Sequence, residues 1–337
     1  MSLQTHVSKQ ESALTVEWAR AQVFAWLAVR TGLGRSASAA PTNQEKEELR
    51  WLGLDGESEG EQSEAPPWVR TPPSIEETPS SAWGEWSGQT QVAELRELGV
   101  LPEALLNFLA LQGWPVPREE EVLSREQLLG HLPRHRQGWP PQETPPQAAA
   151  FDFEQLRRIN HAWVERAHPE RLLELSLPYF RQAGWLPEGE LAPVVRAWLA
   201  EVVRAVQPGL DFLSLLPART RLVFDYQPEY YLSVPESRQV MESEGAREVL
   251  RAFGQRALAE SWLTVERFHE ILEEVKRETP WRGGHLLRPV RVALTGLPFG
   301  PSLDDLIPIF ERGHELDLPV EVKSCRQRVL EFCSVFV

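Results

Sequence analysis

Lysine is nearly missing from this chain of 337 residues. Lys9, Lys46, Lys276 and Lys323 are the only four, and the stretch from 47 to 275 has none. That excludes a phosphate loop ending in GKS or GKT, whose lysine holds the outer phosphates. The positive charge is therefore almost all arginine, whose planar fork suits bidentate contacts to phosphates and base edges. The codon bias of a GC-rich genome accounts for the same composition equally well. Cysteine is scarce too. Cys325 and Cys333, eight residues apart, form neither a CxxC nor a zinc set nor a disulfide framework, and they read as reduced, structural thiols. No apolar run reaches the roughly 18 residues that span a bilayer, and the N-terminus lacks the apolar core of a signal peptide. The expected compartment is the cytoplasm, with no membrane partner. Net positive charge is lacking as well: the formal charge is −14 and the pI about 5.2. No global field draws DNA or an anionic surface, so any nucleic-acid site must be a local patch. A nucleophile elbow is also absent. His131 and His135 stand four apart, but Pro133 lies between them and no carboxylate pair completes a ligand set. We read them as a solvated loop and expect no metal.

Hydrophobic residues make up 42% of the chain, enough for two or three compact domains. Val16, Ala19, Val23, Phe24, Trp26 and Leu27 fall near helical spacing within 13–30, and 44–54 reads as a short helix stopped by Gly53. Between Gly56 and Gln91 the chain turns rich in Glu, Ser, Pro and Gly without periodicity, which predicts a linker or irregular wrap. Its Trp68, Trp83 and Trp86 suggest docking on a folded surface. From Val92 the pattern is helical. Pro102 suits a first turn, Leu105, Leu106 and Leu109 share a face, and Gly113 is a stop. After the Pro-rich stretch 138–147, amphipathic segments follow at 152–165, 169–183, 188–206, 209–216, 235–251, 255–259 and 264–279. The best strand-like alternation is Val290 to Leu294, and WRGGHLL (281–287) reads as a turn. The expectation is a mainly α protein with short helix connections.

The segment VAELRELGVLPEALLNFLALQGW (92–114) resembles the stretch that follows the second ATP-site motif in bacterial glutamyl-tRNA synthetases. The similarity continues, in order, through FDFEQLRRINHAWV (151–164), LPYFRQAGW (177–185), LRPVRVALTGLPFGPSLDDLIPIFERG (287–313) and KSCRQRVLEF (323–332). A weaker likeness joins LTVEWARAQVFAWLAVR (14–30) and EELRWLGLDGESEG (47–60) to the start of the family's catalytic domain. Each leucine stripe alone is ordinary helix core; their joint order carries the resemblance.

The resemblance implies a remnant of a Rossmann-like catalytic domain over 1–55, a linker over 56–91, a stem-supporting helical domain over 92–150, and helical anticodon-binding subdomains over 151–280 and 281–337. It further implies that ATP would be held by a histidine- and glycine-bearing tetrad, matched here by Thr15, Val16, Glu17 and Trp18, and by two lysines, matched by Ala82 and Glu85. Neither set keeps its chemistry. In-line attack on the α-phosphate depends on positioning and charge stabilisation, which Glu17 and Glu85 oppose. No catalytic residue and no ATP site is expected.

For RNA, the resemblance implies anticodon contacts at Arg291 and at the loop residues Gly300, Pro301 and Leu303. Where many family members carry an arginine that discriminates the third anticodon base, this chain has Gly209, which implies relaxed recognition or none. Arg157, Arg158, Arg166 and Arg181 are candidates for a phosphate track, with a solvated charged face as the commoner explanation. The preferred expectation is a tRNA-binding, catalytically inactive member of the family. Its rivals are a helical module that binds a protein partner through the linker or a helical surface, without RNA affinity, and a working glutamate–tRNA ligase.

Overall fold

The computed structural model describes residues 14–31, 42–54, 90–112, 116, 120–131 and 151–336. Ala82, Glu85, Trp68, Trp83, Trp86, Gly113, His135, the stretch 138–147 and nearly all of 56–91 lie outside the described residues. Among those described there are sixteen α-helices and no strand, and one isolated antiparallel bridge joins Thr15 to Gln91. None of these helices is long and apolar enough to cross a membrane. The chain divides into two compact units, Met1–Arg166 and Ala167–Val337.

The first unit holds α1 (Val16–Arg30), α2 (Asn43–Trp51), α3 (Val92–Leu98), α4 (Pro102–Leu111), α5 (Arg125–His131) and α6 (Phe153–Arg166). α2 starts on a capping box, in which Thr42 and Glu45 satisfy each other's backbone N–H. Gly53, with φ 68°, ends its connection. α4 is the apolar pillar: Leu105, Phe108, Leu109 and Ala110 have no exposure, and both α1 and α6 pack on it. Two buried asparagines fix the turns around it. Asn160 on α6 accepts the Leu101 N–H at 2.7 Å, ahead of α4. Asn107 on α4 accepts from Leu123 N–H at 2.9 Å and from the Trp163 indole at 3.2 Å. Each side chain satisfies a buried backbone donor that no helix reaches.

The second unit runs through α7 (Pro169–Gln182), α8 (Pro193–Val206), α9 (Leu216–Phe224), α10 (Pro228–Ser233), α11 (Pro235–Met241), α12 (Ala246–Ala257), α13 (Val265–Glu278), α14 (Gly284–Thr295), α15 (Leu303–His314) and α16 (Cys325–Phe336). α7 to α11 each carry proline in the first turn, where its fixed φ suits the helix and its missing N–H costs nothing. The same preference breaks up the expected 209–216 helix. Pro208 and Pro217 leave two 3₁₀ turns, Gln207–Gly209 and Leu213–Leu215, before α9 begins. The expected 235–251 segment splits into α11 and α12 at Gly245, whose φ is 84°. The strand-like run at Val290 to Leu294 is helical. Leu286, Pro289, Val290, Ala293 and Leu294 bury one face of α14 at helical spacing, and Val292 fills a second contact. Within 290–294 only Arg291 interrupts the apolar residues, so this short run by itself does not show the helical period. WRGGHLL is a turn only through Gly283 (φ 54°); Gly284 already belongs to α14.

α12 is the centre of its end of this unit, packed on α13, α14 and α16. A buried guanidinium ties the helix ends together there. Arg328 on α16 is fully enclosed and donates to the carbonyls of Leu222 (2.7 Å), Val223 (3.0 Å), Leu294 (3.1 Å) and Lys323 (2.8 Å). Leu222, Val223 and Leu294 sit at the C-terminal ends of α9 and α14, where carbonyls have no intrahelical donor. The same group stacks on Phe310 at 3.7 Å and Tyr226 at 4.6 Å. Burial pushes Arg328 down to about 10, still charged at neutral pH.

Candidate nucleic-acid interface

A cleft of about 760 Å³ opens in the second unit between the end of α8, the 3₁₀ turn after it, α9, α10, the 297–302 loop and the first turn of α15. Arg204 closes the last turn of α8, and Gly209 ends the 3₁₀ turn. Arg219 and Arg221 come from α9, and Tyr230 from α10. Phe299, Gly300 and Pro301 form the opposite wall. Three arginines face one acidic lining residue, Asp305, so the patch is basic on a chain of net charge −14. Tyr230 is 44% exposed and Phe299 58% exposed, unusual for large aromatic side chains.

The loop wall is shaped from behind. Gly300 has φ 127°, a conformation that a side chain resists. Arg291 on α14 donates through Nη2 to the Pro301 carbonyl at 2.7 Å, while its Nη1 is buried with no hydrogen-bond partner. That Nη1 lies 3.8 Å from where a Cβ on Gly300 would stand. Burial alone holds the Arg291 pKa down, because no carboxylate offsets it. A positive charge therefore stands directly behind the loop. The turn before it is equally constrained. Gly296 (φ 84°) leaves no room for a Cβ, which would sit 2.1 Å from the Tyr231 ring, and Ser237 donates to its carbonyl at 2.7 Å. Tyr231 is buried, and burial pushes its phenol up to about 12.

The family description "Anticodon binding domain" matches residues 171–315, a range that includes every lining residue of the cleft. The chain is 32% identical over 222 residues to a glutamate–tRNA ligase of Caldicellulosiruptor saccharolyticus, and 30% identical over 224 residues to one of Desulfitobacterium hafniense. Either alignment covers 66% of this chain and 44% of the relative. The chain carries the anticodon-binding domain of the glutamyl-tRNA synthetases. It spans a little under half the length of these curated relatives. A glutamate–tRNA synthetase structure from Elizabethkingia anophelis covers 77% of this chain and 44% of its own, with a TM-score of 0.49 and 17% identity.

The structure brings together the positions that synthetase resemblance picks out at Gly209, Gly300 and Pro301, all on the cleft lining. Arg291 is behind the lining, bonded to the loop. Leu303 is 4% exposed and turns into the core as the first residue of α15. Arg157 pairs with Glu154 at 2.9 Å and Arg158 with Glu121 at 3.1 Å, while Arg166 is exposed. Arg181 donates to the carbonyls of Pro187 and Gly189, closing the turn after α7. Arg204, Arg219, Arg221, Tyr230 and Phe299 had no signal of their own in the sequence. Only Phe299, an aromatic between Pro298 and Gly300, stood where a loop-borne ring could have been suspected.

At the matched ATP tetrad the helix end is already used. Thr15 caps α1 by accepting the Trp18 N–H at 3.3 Å, and Val16 N–H donates to the Thr90 carbonyl at 2.8 Å. Val16 is buried, Glu17 adds a carboxylate to the first turn, and the Trp18 side chain hydrogen-bonds Glu45. A helix N-terminus takes an anion through free N–H groups and its positive dipole end. Here the chain's own oxygens occupy two of the donors.

Proposed function

We propose that the cleft binds the anticodon loop of a tRNA as single-stranded RNA, and that the chain by itself does not activate an amino acid. The carrying observation is the meeting of three arginines and two exposed rings around Gly209 and the 299–301 loop. Unpaired bases are read by stacking on aromatic or guanidinium planes, and the backbone by nearby cations. Arg291 serves this reading from behind, holding the loop and lending it positive potential. Gly209 offers no side-chain donor, and nothing lies within 4 Å of where its Cβ would be. The base facing it goes unread, and recognition there is relaxed. In the same reading 1–55 is a catalytic remnant, 92–150 supports the acceptor stem, and 151–280 with 281–337 embraces the anticodon.

Titration of the chain with bulk tRNA at low and moderate salt tests this. Binding should weaken steeply with salt, and Arg219→Ala should lower the log–log salt slope by about one phosphate contact. Gly209→Arg should tighten binding and sharpen choice among anticodons. Absence of binding in the wild type removes the proposal and leaves a helical protein-interaction module, which the net charge of −14 suits. Glutamate-dependent exchange of pyrophosphate into ATP is expected to be absent. The filled N-terminus of α1 supports that part, and exchange at the pace of a working ligase would overturn it.

A further inference from the structure

The three cleft arginines are not equivalent. Arg204 and Arg219 are exposed on the rim. Arg221 is committed elsewhere: its Nε and Nη2 both reach Asp225 Oδ2 at 2.9 Å, and its guanidinium carbon stands 4.3 Å from the centre of the Tyr230 ring. Asp225 is fixed in turn by Gln227, whose Nε2 donates to Oδ1 at 2.6 Å. Tyr230 meets buried Tyr231 edge-to-face, with ring centres 5.3 Å apart at 75°. A chain of contacts from Gln227 through Asp225 and Arg221 thus ends on an exposed tyrosine at the cleft wall. An exposed ring normally moves among rotamers, and ordering it on binding costs entropy. This one is braced by Arg221 over the ring and by Tyr231 before any ligand arrives.

Resting on the reading of the cleft as an RNA site, we propose that Tyr230 is a stacking platform for one unpaired base and that Arg221 is the positioning residue that holds it. Arg221 is not a phosphate contact, because Asp225 already neutralises it. The phosphate contacts fall to Arg204 and Arg219. The guanidinium on one ring face and the Tyr231 contact limit the ring's rotation, and its exposed surface is left for the base.

The test uses the full chain and an anticodon stem-loop RNA carrying 2-aminopurine at one unpaired position at a time, since stacking on an aromatic ring changes this base's emission. With wild-type protein one position should respond on binding. Tyr230→Phe should keep the response, and Tyr230→Ala should abolish it with affinity reduced about tenfold or more, the scale of a lost base–aromatic stack. Arg221→Gln should weaken the response and the affinity yet leave the salt slope unchanged, whereas Arg219→Ala should lower the slope by about one contact. Arg221→Lys, which keeps the pairing and the cation over the ring, should restore most of the response. Thermal unfolding of each variant checks that it folds. If wild type binds no RNA, the function proposed above fails. If wild type binds while Tyr230→Ala leaves the emission and affinity unchanged, or Arg221→Gln lowers the slope as Arg219→Ala does, this inference fails alone.

Discussion

Arg328 shows how much one side chain can settle. Its guanidinium meets four carbonyl oxygens, three of them at the ends of α9 and α14. A carbonyl left buried without a donor costs roughly 1–3 kcal/mol, so Arg328→Ala should lose about 4 kcal/mol or more, as breaking a buried charged network does. Arg328→Lys should recover little. An ammonium on a flexible stem cannot span two helix ends or stack flat on Phe310 and Tyr226. Urea unfolding at neutral pH measures both; a loss below 1 kcal/mol for the alanine variant would contradict the role. At the same scale, Arg291 carries a different lesson. The family pattern marked it as a candidate anticodon contact, and one of its nitrogens, Nη2, holds the Pro301 carbonyl while Nη1 has no partner. A motif marks the residue, while the loop around it decides which atom is free.

Helix ends, rather than helix middles, carry the polar chemistry of this fold. Glu311, 2% exposed in α15, accepts from Leu263 N–H and from Cys325 N–H, the first residue of α16, both at 3.3 Å. Burial raises its pKa above the usual carboxylate value, more than these donors and His314 lower it. The folded state therefore holds the proton more tightly than the unfolded chain. Stability falls as pH rises from the unfolded carboxylate range through the raised folded value, and stays lower above it. Glu311→Gln removes that dependence and keeps an acceptor. The variant should gain on wild type as pH is raised from 4 to neutrality, read from urea midpoints across that range; a difference that is flat with pH would refute it. The element boundaries follow similar logic. Prolines occupy the first turns of α7 to α11, and Pro208 and Pro217 cut short a helix that periodicity alone extended through 209–216.

At the scale of the whole molecule, the proposed RNA site is contained in one of two compact units. A fragment of residues 167–337 should then unfold cooperatively on its own and keep most of the RNA affinity of the full chain. Titration with the same tRNA, beside a thermal melt, measures this. A folded fragment without RNA affinity would place essential contacts outside the cleft.

The mainly helical architecture was legible in the sequence because amphipathic stripes, proline starts and glycine stops are local signals, repeated along α1 to α16. The family was legible because LPEALLNFLAL and RPVRVALTGLPFG keep their order along the chain. The residue types at Thr15 to Trp18, without histidine or glycine, were legible directly. That α1's own caps fill the end of the helix needed the Thr15 to Gln91 bridge, which joins positions 76 apart. The cleft was legible only in part. Gly209 and the 300–301 loop were named separately, but nothing in the sequence placed Arg219 and Tyr230 beside them. A guanidinium's role depends on whether a carboxylate, a carbonyl or a ring reaches it first. Sequence spacing specifies neighbours within a helix turn, such as Arg221 and Asp225 four apart, whereas the ring over Arg221 and the carbonyls around Arg328 come from other helices, which only tertiary packing brings in.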